Sequence, residues 1–248
     1  MKVVAILQAR MSSTRLPGKV LFKINNKSII EHVVENAIKS NLIDDYVVAT
    51  SNDQSDDLIE EICLEKSLNI YRGSLEDVLD RYYKAAIKYS ADIVVRLTCD
   101  CPLVSPITID SVVSSLINGQ FDYSANTCPP KTSVYPDGSD VEVFTFQALE
   151  KAYNSNSKYV SREHVTFQFW QDKNYSSFQL RDLNKRYNNL RYTLDYEEDF
   201  EVINIIFNEL LKKNISKHSV ENILEIYKDN PELENINNKY YFGIGWKK

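Results

Sequence analysis

Apolar residues in the first 120 positions alternate between short continuous runs and helical repeats. Continuous runs at residues 3–7 and 93–97 are typical of strands buried on both faces, and residues 46–50 and 69–71 predict two further strands. Between them, apolar positions recur every three or four residues, which predicts helices at residues 28–40, 56–67, 75–89 and 106–118. This order of strands and helices predicts an α/β fold with an open, doubly wound, mostly parallel sheet.

The alternation stops near residue 120. Residues 123–140 are rich in Pro, Ser, Thr and Asp, which predicts a long loop or hairpin before a strand at 141–146. Beyond it, the pattern predicts helices at 147–153, 161–170, 197–213 and 219–229 and a strand at 189–194. We therefore predict one domain over residues 1–248, with an inserted hairpin or arm at about 123–146 and C-terminal helices and tail at about 197–248.

The last ten residues form an aromatic tail. Tyr240, Tyr241, Phe242 and Trp246 lie within residues 239–248. Aromatic side chains bury large apolar areas, so we expect this tail to dock on the domain or on a partner subunit rather than to bind ligand.

Composition favours a protein of the cytoplasm. The chain of 248 residues is 43% hydrophobic and 26% charged, as is usual for a globular protein. No stretch approaches the roughly 20 apolar residues of a membrane span, and the first apolar run is too short for a signal peptide. The four cysteines suit reduced thiols better than a disulfide framework. We expect no membrane partner.

The charge is unevenly distributed along the chain. A net charge of −6 argues against a nucleic-acid partner. Residues 1–30 nevertheless contain no Asp or Glu, and six basic residues: Lys2, Arg10, Arg15, Lys19, Lys23 and Lys27. Such a segment indicates either a local site for an anion or a solvated basic surface.

A basic cluster follows the first predicted strand. Arg10, Arg15 and Lys19 supply cations at a spacing that lets a curled loop wrap a polyphosphate, and Ser12 and Ser13 add hydroxyl groups. The loop matches neither Gly-x-x-x-x-Gly-Lys-Ser/Thr nor Gly-x-Gly-x-x-Gly, which disfavours P-loop kinases and NAD enzymes.

Two acids lie directly after predicted strands and before predicted helices. Asp100 and Asp195 are therefore candidate Mg²⁺ ligands, because ligands of doubly wound sheets bind at the carboxyl ends of the strands. Each acid could instead cap a turn or helix, and for Asp195 a capping box with Glu198 is the alternative. Zinc at Cys99 and Cys101 is disfavoured because no second thiol pair is nearby.

Together these clusters resemble the SpsF-like spore coat polysaccharide cytidylyltransferases, which are similar to the CMP-KDO and CMP-sialate synthetases. The matching motifs span about residues 3–200 in the same order, at positions 8–21, 72–82, 96–103, 137–144, 162–165 and 191–199. The resemblance implies a Rossmann-like nucleotidyltransferase fold with CTP bound under the basic loop.

The resemblance also implies roles for individual residues. Asp100 and Asp195 would hold Mg²⁺, and Arg10 and Lys19 would join them in catalysis. The nucleotide would bind at Gln8, Ala9, Arg10, Ser12, Ser13, Arg15, Lys19, Arg72, Gly73 and Ser74. The acceptor would bind at Asp140, Glu142, Arg162, Glu163, His164 and Arg191, of which the first four could instead form structural ion pairs at a dimer arm.

The function that follows is transfer of CMP from CTP to an acidic sugar or sugar phosphate, with release of pyrophosphate. An acceptor phosphate is already ionised, whereas an anomeric hydroxyl must lose a proton to a base; both remain open. The alternatives are a guanylyl-, uridylyl- or adenylyltransferase acting on a sugar 1-phosphate, and a non-catalytic nucleotide-binding protein. We also expect a homodimer with residues 135–142 at or near the subunit boundary.

Overall fold

The computed structural model of the chain describes residues 1–155, 159–242 and 244. The strands in these residues are β1 (Val3–Gln8), β2 (Lys23–Ile24), β3 (Lys27–Ser28), β4 (Asp45–Ser51), β5 (Ile70–Gly73), β6 (Ile93–Thr98), β7 (Tyr123–Ala125), β8 (Glu142–Thr145) and β9 (Ser177–Gln179). The helices are α1 (Ile29–Ile38), α2 (Asp57–Glu65), α3 (Val78–Lys88), α4 (Pro106–Gly119), α5 (Phe146–Asn154), α6 (Tyr159–His164), α7 (Phe167–Gln171), α8 (Glu197–Lys212), α9 (Val220–Asp229) and α10 (Leu233–Asn237).

Seven strands form one mostly parallel sheet in the order β5-β4-β1-β6-β8-β7-β9. Strands β5, β4, β1 and β6 are parallel, and β8 is antiparallel to both of its neighbours. Strands β2 and β3 make a separate two-stranded hairpin. The predicted α/β class and open, mostly parallel sheet are confirmed.

Both faces of the sheet are covered by helices, as in a doubly wound fold. Successive side chains of a strand point to opposite faces. Accordingly, Val3 and Ala5 of β1 pack with residues of α1, α2 and α4, whereas Val4 and Ile6 pack with residues of α3 and α5. Helices α8, α9 and α10 build a third apolar cluster of their own.

Local signals in the sequence start the helices that follow the strands. The hydroxyl of Ser28 accepts from the backbone N–H of Glu31, whose carboxylate accepts from the N–H of Ser28, a complete capping box for α1. The hydroxyl of Ser105 caps α4 by accepting from the N–H groups of Ile107 and Thr108, with Pro106 at the first helical position, where its missing N–H costs nothing.

The predicted insertion is a hairpin that folds back on the sheet. Its two ends are strands β7 and β8, which pair antiparallel. Residues 126–141 between these strands, the hairpin segment, lie against the carboxyl end of the sheet. Asn126, Thr127 and Ser139 are fully buried there. Most side chains of residues 135–142 are likewise buried in their own chain, which leaves them little surface for the subunit boundary expected there.

The strand predicted at residues 189–194 is wrong. Only Arg191 forms a bridge, to Asp137 of the hairpin segment. The alternating pattern has another cause: Leu190, Tyr192 and Leu194 pack into the apolar cluster of the C-terminal helices rather than onto a sheet face.

The helix predicted at residues 161–170 is two short helices, α6 and α7. The break lies at Val165, whose φ of 55° is in the left-handed region and ends a right-handed helix. Strand β9 and helix α10 were not predicted. Trp246 of the aromatic tail lies outside the described residues.

Candidate active site

A cavity of about 400 Å³ opens at the carboxyl ends of β1 and β6. Its lining combines residues from the basic loop after β1, from the end of β6, from the hairpin segment and from the stretch before α8. This is the place where ligands bind in doubly wound sheets, and the size suits a small-molecule ligand.

The basic loop after β1 is held in a fixed curve by backbone contacts. Gly18 adopts a φ of 71°, and its N–H donates to the carbonyl of Met11 at 3.0 Å. The N–H of Met11 donates to Asp56 at 2.7 Å, and Asp56 also accepts from the hydroxyl of Ser51 at the end of β4. The loop therefore curls with its base tied to β4, which aims its side chains at the cavity.

Lys19 joins the two predicted metal ligands. Its Nζ donates to Asp100 at 3.1 Å, to Asp195 at 2.8 Å and to the carbonyl of Leu194 at 2.6 Å. Arg15 contacts the same oxygen of Asp195 at 2.7 Å. Residues 81 and 176 positions apart are thus brought together, although Asp195 does not follow a strand as expected.

The charges of this cluster support one another. Burial by itself lowers the pKa of Lys19, but the charges of Asp100 and Asp195 outweigh it and raise that pKa. Burial by itself raises the pKa of both carboxyl groups, but the ammonium of Lys19 outweighs it and lowers each of them. Both acids are therefore ionised at neutral pH.

Arg191 holds Asp195 from the other side. The guanidinium, in a side chain only 4% exposed, contacts Asp195 at 3.0 Å, Asp199 at 3.0 Å and also Asp137. Three carboxylates occupy its donors, so Arg191 positions Asp195 and does not offer a free cation to an acceptor.

The capping box predicted for α8 is shifted by one residue. Asp199, not Glu198, accepts the N–H groups that precede the helix, from Asp195 at 2.9 Å and from Tyr196 at 3.0 Å. Glu198 instead binds Lys239 and Tyr240 of the C-terminal tail. Because Asp199 caps the helix, the carboxylate of Asp195 is left to face the cavity.

Two further acids line the cavity on the hairpin segment. Asp140 accepts from the hydroxyl of Thr127 at 2.8 Å and from the N–H of Gly138 at 2.9 Å. Gly138 has a φ of 106°, and a Cβ there would lie 2.4 Å from the nitrogen of Thr193, so only glycine fits. Burial raises the pKa of Asp140, and raises that of Asp137 well above its usual value.

Arg96 lines the cavity and was missed as a site residue. It forms a salt bridge with Glu142, which also accepts from the hydroxyl of Tyr123, and it donates to Gln8 at 3.4 Å. Its side chain is 17% exposed. The signal was present in the sequence, because an arginine interrupts the apolar run of β6.

Most of the predicted site residues meet in this cavity. They are Gln8, Arg10, Ser12, Ser13, Arg15, Lys19, Asp100, Asp140, Glu142, Glu163, His164, Arg191 and Asp195. Further lining residues that were not assigned to the site from the sequence include Thr98, Cys101, Thr193, Phe242 and Ile244.

Five predicted site residues do not line the cavity. Ala9 is buried beside β4, to which its N–H donates. The guanidinium of Arg72 is held by Glu60 at 2.6 Å and by Asp57 at 2.7 Å, and neither Gly73 nor Ser74 reaches the cavity.

Arg162, the fifth of these residues, binds Asp77 at the start of α3 at 2.6 Å. The structural ion pair left open for this residue is the arrangement found.

The carboxylates fit a magnesium ion. Asp100 and Asp195 both contact one cationic group, the ammonium of Lys19, so the two carboxylates face the same point of the cavity. Within the described residues, no group of three or more His, Cys, Asp and Glu could hold a metal by itself. Mg²⁺ commonly takes one or two carboxylates and completes its shell with water and substrate phosphates, which this pair would allow.

An open α/β sheet with a cationic loop and paired acids at its strand ends defines a nucleotide-binding enzyme site. A family model described as cytidylyltransferase matches residues 4–237, and the chain belongs to this family. The chain is accordingly a CTP-dependent nucleotidyltransferase, which sets aside the alternatives of another nucleotide base and of a non-catalytic binding protein.

The chain is also similar to two known sequences and to one solved cytidylyltransferase structure. An uncharacterised protein of Methanocaldococcus jannaschii is 38% identical over 96% of this chain and 95% of its own. The spore coat polysaccharide biosynthesis protein SpsF of Bacillus subtilis is 30% identical over 83% of this chain and 86% of its own. The structure of a cytidylyltransferase from Leptospira borgpetersenii superposes with a TM-score of 0.86 at 31% identity, covering 94% of this chain and 96% of that one.

Among the residues that the structure describes, no helix is long and apolar enough to cross a membrane.

Proposed function

We propose that this protein transfers CMP from CTP to an acidic sugar or sugar phosphate, for the synthesis of a surface polysaccharide or glycoconjugate, and releases pyrophosphate. The observation that carries the proposal is the contact of Lys19 with Asp100 and Asp195 beside the basic loop. The similarity to a spore coat polysaccharide biosynthesis protein supports a sugar acceptor.

The nucleotide half of the cavity consists of Arg10, Ser12, Ser13, Arg15 and Lys19. Arg10 is exposed at the cavity, and it makes no salt bridge with any residue in the described ranges. A triphosphate carries several negative charges, and guanidinium groups bind phosphate through paired hydrogen bonds. Arg10 and Arg15 are therefore the residues suited to grip the β- and γ-phosphates.

We place Mg²⁺ at Asp100 and Asp195. When bound, the ion would neutralise charge on the phosphate oxygens. The contribution of the protein is to keep both carboxylates ionised and oriented, through Lys19 on one side and Arg191 on the other.

The acceptor half consists of Arg96, Asp137, Asp140, Glu142 and Thr193. Arg96 replaces Arg162 and Arg191 as the candidate for the acid group of the acceptor, because it lines the cavity, has one carboxylate partner instead of three, and its Nε has no hydrogen-bond partner among the described residues. The carboxylate of Asp140 is suited to accept a hydrogen bond, or a proton, from a sugar hydroxyl.

In the proposed reaction, an acceptor oxygen attacks the α-phosphorus of CTP as the bond to the β-phosphate oxygen breaks. Pyrophosphate leaves, and an acceptor hydroxyl gives up its proton. Alignment of the two substrates supplies much of the rate enhancement in such reactions. The two halves meet at Lys19 and Asp195, so the α-phosphorus would lie between them.

Pyrophosphate release tests the proposal. The protein is incubated with Mg²⁺, each of the four NTPs and a panel of acceptors: 3-deoxy-manno-octulosonate, a sialic acid, and hexose 1-phosphates. Release is expected with CTP and at least one of these acids. Equal release with all four NTPs, or acceptor-independent release only, would contradict the proposal.

A homodimer, with residues 135–142 at or near the subunit boundary, stays a proposal. Light scattering at micromolar concentration should give about twice the chain mass of 28.7 kDa. A fully active monomer at nanomolar concentration would exclude a functional dimer. The cytoplasmic location stays a prediction.

A further inference from the structure

The C-terminal strap, residues 239–242 and 244, follows α10 and reaches the cavity. None of the sequence motifs includes it. Phe242 and Ile244 nevertheless line the same cavity as Asp100 and Asp195. The strap therefore docks on its own domain, as one of the two expectations for the aromatic tail stated, and it does so at the active site.

Several contacts anchor the strap to the segment that carries Asp195. The ring of Tyr240 stacks on that of Tyr196, with centroids 3.7 Å apart and planes 3° apart. The hydroxyl of Tyr240 donates to Glu198 at 3.1 Å, and Lys239 forms a salt bridge with the same carboxylate.

The helix just before the strap is anchored at the same place. Asn237 at the end of α10 donates to the carbonyl of Arg191 at 3.0 Å and to Asp199 at 2.8 Å. The path of the strap is therefore fixed by the same residues that orient Asp195.

The strap supplies an apolar surface that the rest of the cavity lacks. Apart from the cysteines and Val20, the other described lining residues are polar or charged, and Phe242 is the only Phe, Tyr or Trp among them. A sugar acceptor presents carbon–hydrogen faces as well as hydroxyl groups, as do the ribose and base of CTP, whereas the triphosphate presents only charged oxygens. Specific ligand sites combine apolar walls with a few polar groups.

The anchoring places the strap beside the acceptor half, at the segment of Asp195 where the two halves meet, and its anchor Tyr196 also lies near Arg15 of the basic loop. The basic loop is tied to β4 through Asp56, on one side of β1. Tyr240 of the strap stacks on Tyr196, and Asn237 just before the strap donates to the carbonyl of Arg191. Arg191 in turn bridges to Asp137 on the hairpin segment, on the other side of β1.

We propose that Phe242 and Ile244 form the apolar wall of the acceptor site, and that Tyr240 is a positioning residue that holds this wall in place. The inference rests on the proposed function. The wall contacts the carbon skeleton of the acceptor and keeps water from the α-phosphorus. Water that did enter would break the same bond as the acceptor, giving CMP, pyrophosphate and a proton.

Phe242→Ala tests the wall through two separate substrates. With 3-deoxy-manno-octulosonate or a hexose 1-phosphate as acceptor, whichever the wild type uses, the acceptor KM is expected to rise about tenfold, the usual effect of losing a large apolar contact. The KM for CTP should stay within about twofold, and CTP hydrolysis without acceptor should increase. Phe242→Leu, which keeps an apolar side chain, should retain most of the acceptor affinity.

Two substitutions of Tyr240 test whether its ring holds the apolar wall in place. Tyr240→Leu removes the stack on Tyr196 and should raise the acceptor KM, whereas Tyr240→Phe keeps the ring and should restore it. Tyr241→Ala is the matched control, because Tyr241 is an aromatic residue of the same segment that is 50% exposed and does not line the cavity.

Two outcomes would overturn the inference while the proposed function stands: unchanged acceptor KM in Phe242→Ala, or a rise in the KM for CTP instead. Failure of the proposed function is seen differently, as no acceptor-dependent pyrophosphate release by the wild type, and it overturns the acceptor wall as well.

Discussion

The two halves of the cavity are built in different ways. The nucleotide half comes from one loop of ten residues after β1, held by its own backbone and by Asp56. The acceptor half is assembled from β6, the hairpin segment, the stretch before α8 and the C-terminal strap. A site made from one segment is visible in the sequence, whereas a site made from four segments depends on how the chain folds.

Their electrostatics differ as well. In the nucleotide half, Arg10 stays available to a ligand, and Lys19 lowers the pKa of the acids it contacts. In the acceptor half, Arg191 and Arg96 are both paired with carboxylates, and burial raises the pKa of Asp137 and Asp140. The first half suits a triphosphate, and the second suits a ligand with several hydroxyl groups and one acidic group.

Substitution of Asp100 or Asp195, the acids at the junction of the two halves, should have the largest effect on turnover. Asp100→Asn and Asp195→Asn are each expected to reduce pyrophosphate release about 1000-fold, because a neutral amide binds Mg²⁺ poorly and several kcal/mol of charge stabilisation is lost. Turnover is measured at saturating CTP and Mg²⁺. Glu61→Gln makes the same chemical change at an exposed position and should leave turnover unchanged. Near-normal turnover in either aspartate variant would show that its carboxylate is structural.

Arg191 should matter most for stability. Arg191→Met leaves Asp137, Asp195 and Asp199 without their shared partner, and breaking such a buried ion pair typically costs about 3–5 kcal/mol of unfolding free energy. Urea unfolding measures the loss. Arg72→Met is the matched control, because the side chains of its partners are 52% and 39% exposed, and it should cost at most about 1 kcal/mol. Equal losses in the two variants would remove the distinction between the buried and exposed arginine networks.

Arg10 should affect binding rather than stability. Arg10→Ala is expected to weaken CTP binding about 10- to 100-fold, since a charge-assisted hydrogen bond contributes roughly 1.5–3 kcal/mol. Calorimetric titration of CTP into the protein measures this. Arg162→Ala removes an arginine that binds Asp77 outside the cavity and should leave the dissociation constant unchanged. If both variants bind CTP as the wild type does, the basic loop is only a solvated surface.

The sequence predicted the sheet and the nucleotide half because both depend on local signals. Apolar runs marked β1 and β6, and the spacing of Arg10, Arg15 and Lys19 marked the loop. The stretch before α8 misled the prediction because its alternating apolar residues pack on helices instead of pairing as a strand. Arg72 and Arg162 were assigned to ligands because the family resemblance implied it from their motif positions, whereas acids on neighbouring elements hold them.

The smallest expected effect is a change of stability with pH, at the contact between the C-terminal helices and the loop after β6. His218 is buried, and its Nε2 lies 3.0 Å from the carbonyl of Leu103, shortly after Asp100 in the chain. Burial lowers the pKa of His218 from 6.5 to about 4, although the bond to Leu103 opposes this. As the pH falls below 6.5, His218 becomes protonated in the unfolded chain, whereas in the folded protein it stays neutral until about pH 4. Stability from this group is therefore complete above pH 6.5 and is lost on acidification.

Between pH 7.5 and 5.5, His218 should lower the unfolding free energy by about 1.4 kcal/mol. The loss is read as the difference in pH dependence between the wild type and His218→Gln, since buried His32 also has a lowered pKa and adds its own contribution to both proteins. The lowered pKa values of Asp100 and Asp195 act only below their ordinary value of 3.8, so the two effects occupy separate pH ranges. The same pH dependence in both proteins would show that His218 is not the group that ties these helices to the loop after β6.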